Sequence, residues 1–215
     1  MLWREESNVG RKEINTDNLD VTGLEFDDAT HTYRLDGFEI PSVSAIMEPL
    51  SRSKYAHISE EILERAASRG TAIHNSIENW IKFGIEDVPL EYQGYFEAFR
   101  KWWEQYKPTV IASEARICHF LMRYGGTVDL LAVVENAVSL IDFKSTSTIS
   151  DMTCGVQLEA YAKALENIGV KVERKRILHL KKNGEFEYRE YPINDLLRWR
   201  VFGALKTVYD YIDIQ

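Results

Sequence analysis

The sequence predicts an α/β protein: a mixed core of strands and helices carrying helical decoration. Three strand-period runs follow one another between Val110 and Lys144. Helix-period stretches stand on both sides of them, and a second strand pair flanks Asn183-Gly184 between the last two helices. No internal repeat, low-complexity tract or Gly/Ser-rich linker divides the chain, so residues 1–215 read as one domain: 1–20 loosely held, 21–107 a hairpin and helical part, and 108–215 the core.

From Leu24, short strand-like runs alternate with the turn formers Asp27-Asp28-Ala29-Thr30 and Asp36-Gly37, which predicts a β-hairpin. It leads into Pro41-Ser42-Val43-Ser44, where Ser42 is placed to cap a helix running to about Pro49. Ser59 to Phe83, rich in Glu, Ala, Ile and Arg, is expected to be helical, as is Glu91 to Tyr106, with Tyr92, Tyr95, Phe96, Phe99, Trp102, Trp103 and Tyr106 at helical spacing before Pro108 ends it. The period then changes. Strands are expected at Val110 to Leu121, Gly126 to Val134 and, after a Glu135-Asn136-Ala137 turn, Val138 to Lys144, in a meander. A helix from about Cys154 to Asn167, a hairpin of Arg176 to Leu180 with Glu185 to Tyr191, and a helix from about Ile193 to Ile214 complete the chain.

With 45% hydrophobic and 28% charged residues, the chain can bury one sizeable core, which excludes disordered, collagen-like and disulfide-scaffold classes. Cys118 and Cys154 are too few for a four-cysteine zinc or iron–sulfur site and read as buried thiols in a reducing compartment. No run of about 18 apolar residues occurs and no apolar signal core follows Met1, so neither a membrane span nor a secretory signal is expected, and the reading is a soluble intracellular protein, cytoplasmic in a bacterial or phage-infected cell. Against 26 basic residues stand 34 acidic ones, a net charge of −8, so a polyanion would have to be met locally rather than by bulk positive charge. The stretch Lys171 to Lys182 holds Lys171, Arg174, Lys175, Arg176, Lys181 and Lys182 against Glu173, which reads as a solvated strand edge or as the lining of a backbone groove. The aromatic stretch 91–106 reads first as a core-packed helix face, its end residues remaining candidates for base stacking.

Chemistry concentrates where the meander ends. Asp142 and Lys144 in Leu140-Ile141-Asp142-Phe143-Lys144-Ser145 share one strand face, because side chains alternate, and Phe143 takes the other. An antiparallel turn at 135–137 would bring Asp129, in Gly125-Gly126-Thr127-Val128-Asp129, near Asp142. Two buried carboxylates repel each other, and a divalent cation between them, magnesium or manganese given oxygen ligands, relieves the cost. The alternative is a plain Asp142–Lys144 ion pair on a solvated face, against which stand the apolar neighbours Leu140, Ile141 and Phe143.

Asp129 followed by Asp142-Phe143-Lys144 resembles the PD-(D/E)XK nuclease superfamily in its RecB-like branch. Upstream, Arg69-Gly70-Thr71-Ala72-Ile73-His74 resembles the branch's Gly-x-x-x-His motif; downstream, Gln157 to Tyr161 resembles its Gln-x-x-x-Tyr motif. Glu114 matches the acid of the preceding strand, and His31-Thr32-Tyr33 with Ile40-Pro41-Ser42-Val43-Ser44 is similar to the amino-terminal signature of phage and mitochondrial genome maintenance exonucleases. The match runs over about residues 24–165 in the right order. Gly70 and His74 lie one helical turn apart, which would let the helix approach the sheet at the glycine and present the imidazole beyond it.

The resemblance implies a restriction-endonuclease-like fold with a central mixed β-sheet flanked by helices. It implies that His74, Asp129, Asp142 and the Phe143 carbonyl hold Mg2+ or Mn2+, with Glu114 a direct or water-mediated ligand of a first or second ion. Lys144 would orient or deprotonate the attacking water, Gln157 and Tyr161 would support Lys144 and hold the phosphate backbone, and Ser145, Thr146 and Arg69 are weaker phosphate contacts. The products would carry a 5′-phosphate and a 3′-hydroxyl. With two cysteines no iron–sulfur cluster is expected, and without a Gly-x-x-x-x-Gly-Lys-Ser/Thr loop no nucleotide-driven unwinding. The expectation is a metal-dependent phosphodiesterase, a DNA exonuclease acting on single strands or duplex ends in repair, recombination or phage replication, with a recombination or replication protein as a possible partner. An endonuclease at branches or flaps, or a non-cleaving nucleic-acid-binding accessory, are the other readings; oligomeric state is left open.

Overall fold

The structure, a computed structural model, describes residues 19–55 and 58–213. Most of the loosely held segment expected at the amino terminus lies outside those residues, as does Ile214 at the end of the last helix. A three-stranded antiparallel sheet comes first, β1 (Leu24–Asp27), β2 (Thr32–Leu35) and β3 (Phe38–Ile40), one strand more than the expected hairpin. Asp36 and Gly37, at φ 53° and 78°, close a two-residue turn between the paired Leu35 and Phe38.

Ser42 caps the next helix as expected, its Oγ accepting the Ala45 N–H at 3.0 Å, but α1 (Val43–Ile46) ends after one turn. Pro49 lies in the first turn of a separate helix, α2 (Glu48–Tyr55), where a missing N–H costs nothing, so the proline starts a helix rather than ending one. Then come α3 (Glu60–Phe83), a 3-10 turn at Leu90–Tyr92 and α4 (Gln93–Tyr106), which ends on Lys107 at φ 45°.

The second sheet is β4 (Thr109–His119), β5 (Tyr124–Val134), β6 (Ala137–Lys144), β7 (Arg174–Leu180) and β8 (Phe186–Tyr191), hydrogen-bonded in that order. β4 to β6 form the expected meander; α5 (Asp151–Asn167) then crosses over to β7, which runs parallel to β6, and β8 returns antiparallel before α6 (Leu196–Asp213). The sheet is therefore mixed.

Both faces are covered. Val156, Leu158, Ala160, Tyr161 and Leu165 of α5 and Phe202 of α6 pack on Ile117, Val128, Leu131, Leu140 and Ile177. On the opposite face, Ile73 and Ile77 of α3 and Tyr95, Phe96, Phe99 and Trp102 of α4 pack on Leu130, Ala132, Ile141, Phe143 and Leu178. The aromatic helix is thus a core element first. β6 is buried on both sides, which is why its sequence is a continuous apolar run rather than an alternation.

Within the basic stretch, Lys175 and Arg176 of β7 are not on a solvated edge, whereas Lys171 and Lys182 at its ends are exposed. β7 lies between two partners, and Lys175 is fully buried and paired with Glu159 of α5, whose Oε2 also accepts the Asp195 N–H at 3.2 Å. Arg176 is buried too, with Glu135 at 2.7 Å and Glu190 at 3.0 Å. Glu159 from the helix layer neutralises Lys175, and Glu135 of the β5–β6 turn and Glu190 of β8 neutralise Arg176, so these two bases line no backbone groove. Gly70 is also corrected: a Cβ there would meet nothing within 4 Å, so the glycine faces open space and not the sheet.

Candidate functional site

The site forms where the sheet comes apart. Pairing of β5 with β6 runs from Val134↔Ala137 to Leu130↔Ile141 and stops. The next step would set Asp129 opposite Asp142; instead the Asp129 carboxylate takes the role of a backbone acceptor, its Oδ2 receiving the Phe143 N–H at 2.6 Å. The strand is irregular here. Val128 faces the α5 layer whereas Leu130, two residues on, faces the α3–α4 layer, so Asp129 stands at a switch of faces.

Across from Asp129 on the other side lies Glu114, between the pairs Ser113↔Leu130 and Ala115↔Val128. Its φ is 51°, a left-handed conformation that a non-glycine residue holds inside a strand only under constraint from its surroundings. α3 supplies the third donor. His74 Nδ1 stands 3.5 Å from Asp129 Oδ1 and 3.7 Å from Glu114 Oε1, and the ligand atoms of these three residues lie within 4.8 Å of one another. The imidazole is set by an edge-to-face contact with Phe143, whose ring also meets Phe99 at 5.8 Å.

Asp142, 2% exposed, opens toward the α5 side with Lys144, as strand alternation requires. Its Oδ2 lies 2.7 Å from Lys144 Nζ without a hydrogen bond of good angle. Lys144 Nζ donates to Gln157 Oε1 at 2.9 Å, and Gln157 Nε2 donates to Tyr161 Oη at 3.3 Å, so one face of α5 holds the lysine in place. Burial disfavours charge on His74, but Asp129, Glu114 and Asp142 outweigh it and lift the imidazole pKa to about 9. Burial pushes the Asp129 carboxyl upward; His74 and Lys144 oppose this, while Asp142 and Glu114 reinforce it. Burial also works against the Lys144 ammonium, yet Asp142 and Asp129 hold it above the usual lysine range.

His74, Glu114, Asp129, Asp142, Lys144, Gln157 and Tyr161 are thus brought to one place, in two subsets. The compact donor group is His74, Glu114 and Asp129; Asp142 belongs to the lysine chain beside it, and Phe143 touches the group through its ring and its N–H. Carboxylate and imidazole donors of this kind suit Mg2+ or Mn2+, and the buried Asp142 oxygen without an aligned partner fits a nearby cation.

Thr146 lines a cleft of about 260 Å³ with Lys144 and Gln157, but Ser145 is buried and does not line it. Arg69 lines a different cleft, on the amino-terminal side of His74 in α3. The sequence reading missed two features. Ser44, Ser51, Thr148, Ser150 and Thr153 give the first cleft a wall of hydroxyls, a signal present in the hydroxyl-rich run 145–153. His179, beside Lys144 in register, holds the Thr146 carbonyl at 2.7 Å, and a lone strand histidine gives no sequence signal.

The sequence profile of the PD-(D/E)XK nuclease superfamily matches residues 42–203. Among solved structures, an alkaline exonuclease (LHK-Exo) from Laribacter hongkongensis is similar over 80% of this chain and 90% of its own, at 13% identity and a TM-score of 0.42. The structure of SSO0001 is similar over 79% of this chain and 84% of its own, at 10% identity and a TM-score of 0.34. No curated protein matches the sequence.

Proposed function

The chain belongs to the PD-(D/E)XK nuclease superfamily, a family of phosphodiesterases, and on that premise we propose that it is a divalent-metal-dependent DNA exonuclease acting on single strands or duplex ends. The observation that carries this reading is the convergence of Glu114, Asp129, Asp142 and His74 on the break between β5 and β6, with Lys144 beside them. His74, Glu114 and Asp129, with Asp142 adjacent, would hold the ion, which when bound supplies a lowered water pKa and positive charge opposite the phosphate oxygens.

The rest is done by side chains. Lys144, held beside Asp142, orients or deprotonates the attacking water and offsets charge on the phosphate. Gln157 fixes Nζ by accepting from it, and Tyr161 fixes Gln157: by receiving the Nε2 hydrogen it leaves Oε1 turned toward the lysine. Thr146, in the cleft beside them, is placed to meet the phosphate backbone. The setting we propose, from the order of the RecB-like motifs, is repair, recombination or phage replication. No helix among the described residues is long and apolar enough to cross a membrane.

The test is degradation of end-labelled linear single- and double-stranded DNA beside a closed circle, with Mg2+, Mn2+ or EDTA. Metal-dependent loss of the linear forms with the circle intact is the expected result. Cutting of the circle replaces the exonuclease reading with an endonuclease one. Binding without cutting reduces the protein to an accessory.

A further inference from the structure

We propose that a second cleft, between α3, the 3-10 turn at Leu90–Tyr92 and the β7–β8 hairpin, binds one nucleotide of single-stranded DNA beside the metal group, its base stacked on Tyr92 and its phosphate held by Arg69 and Lys182. This deepens the DNA-nuclease reading and rests on it. The cleft has a volume of about 430 Å³, within the roughly 300–1,000 Å³ usual for ligand sites.

Two of its cations, Arg69 and Lys182, lack ion-pair partners among the described residues. Arg69 forms no ion pair among the described residues, and its buried Nε has no hydrogen-bond partner, a cost that an anion in the cleft would remove. The guanidinium carbon lies 5.8 Å from the centre of the Tyr95 ring, a cation–π contact that holds it at the cleft wall. Lys182, on the hairpin loop, is exposed and likewise forms no ion pair among the described residues. Arg65 also lines the cleft but is paired with Glu61, and Glu64 and Glu91 line it too, so the cations offered to an anion are Arg69 and Lys182.

Tyr92 packs against the α3–α4 core cluster while lining the cleft, and it stacks on no other ring among the described residues, which leaves its cleft side for a base. The far wall is fixed. Gly94 of α4 lets the Lys182 carbonyl sit where a Cβ would come within 1.8 Å of it, and Lys101 Nζ donates to the Gly184 carbonyl at 2.9 Å. The two sites are linked by α3. Arg69 precedes His74 by five residues, about 7.5 Å of helix. Between them Gly70, one turn before His74 and on its face, has nothing within 4 Å of its Cβ position, so a chain can pass close to the backbone from one site to the other.

The experiment is titration of labelled oligo-dT and of a duplex of equal length, in EDTA, read by fluorescence anisotropy at several salt concentrations. Tyr92→Leu is expected to weaken oligo-dT binding about 5- to 150-fold, with Tyr92→Phe near wild type and duplex binding changed less than about twofold. Arg69→Ala and Lys182→Ala should each lower the slope of log K against log salt by about 0.7. Gly70→Leu, which favours the helix and fills the passage, should weaken oligo-dT binding without loss of folding. Wild-type oligo-dT affinity in Tyr92→Leu and Arg69→Ala, or equal loss for duplex and single strand in Tyr92→Leu, overturns the proposal. A parallel cleavage assay on wild-type protein separates the two readings: metal-dependent cleavage with these variants unaffected sinks the cleft alone, whereas absence of any cleavage sinks the nuclease reading.

Discussion

Glu114 carries conformational strain for the sake of its carboxylate. At φ 51° inside a strand, any residue with a Cβ loses roughly 1–2 kcal/mol that glycine does not. Glu114→Gly and Glu114→Ala both remove the carboxylate and should both lose metal-dependent cleavage, but the glycine variant should be the more stable by about 1 kcal/mol in urea unfolding. Equal stability would mean the backbone is unstrained there. The residues of this site were legible unevenly. Asp129, Asp142, Lys144, Gln157 and Tyr161 were found because motif order survives in sequence, and His74 because it stands one turn after a glycine. The division of labour was not: nothing in sequence says that Asp129 turns to the α3 side and Asp142 to the α5 side, because that follows from the break in the β5–β6 ladder. Ser145 is a weaker phosphate contact that the resemblance implies, and the structure buries it outside the cleft lining.

At the scale of elements, the glycines at the start of β5 set how closely α5 and β2 pack on it. A Cβ on Gly126 would come within 2.5 Å of Tyr161 Cε1, and one on Gly125 within 2.7 Å of the Tyr33 ring. Gly126→Ala must therefore push Tyr161 aside, loosening Gln157 and through it Lys144. The expected outcome is a loss of about 1–3 kcal/mol in unfolding free energy together with a fall in cleavage rate; retention of both would show that the ring has room to move. Strands and helices were readable from their periods, and the Glu135-Asn136 turn from its chemistry, with both residues at positive φ as a two-residue hairpin demands. β7 was misread because its charges are cancelled by acids from α5, from the β5–β6 turn and from β8. Glu159 and Glu135 are far from Lys175 and Arg176 in sequence, so the stretch looks solvated until the fold is known. Lys175→Ala strands a buried carboxylate and should cost roughly 3–5 kcal/mol, measured by urea unfolding; a loss near zero would mean Glu159 finds water.

For the whole molecule, the sheet holds its donors at the junction of three strands and one helix, so an ion bound there joins both layers of the fold. Binding to the folded state alone stabilises it by about 2.7 kcal/mol at a hundred times Kd, several degrees in Tm for a chain of this size. Thermal unfolding should therefore shift upward with Mn2+ in the wild type and much less in His74→Ala; equal shifts would remove His74 from the donor group. The order of elements could be anticipated because each local period agrees with the global arrangement, and the mixed sheet with its helical cover because the motif resemblance implies them. What joins the elements, the third amino-terminal strand, the interior place of β7 and the open space at Gly70, depends on contacts between distant segments. One comparison weighs on all of this: cleavage of end-labelled linear DNA in Mn2+ by the wild type, Asp142→Ala and Lys144→Ala, each checked for native folding. Cleavage by the wild type, abolished by EDTA and reduced at least about 100-fold in both variants, is the predicted result. Wild-type rates in either folded variant, or cleavage that persists in EDTA, would contradict it.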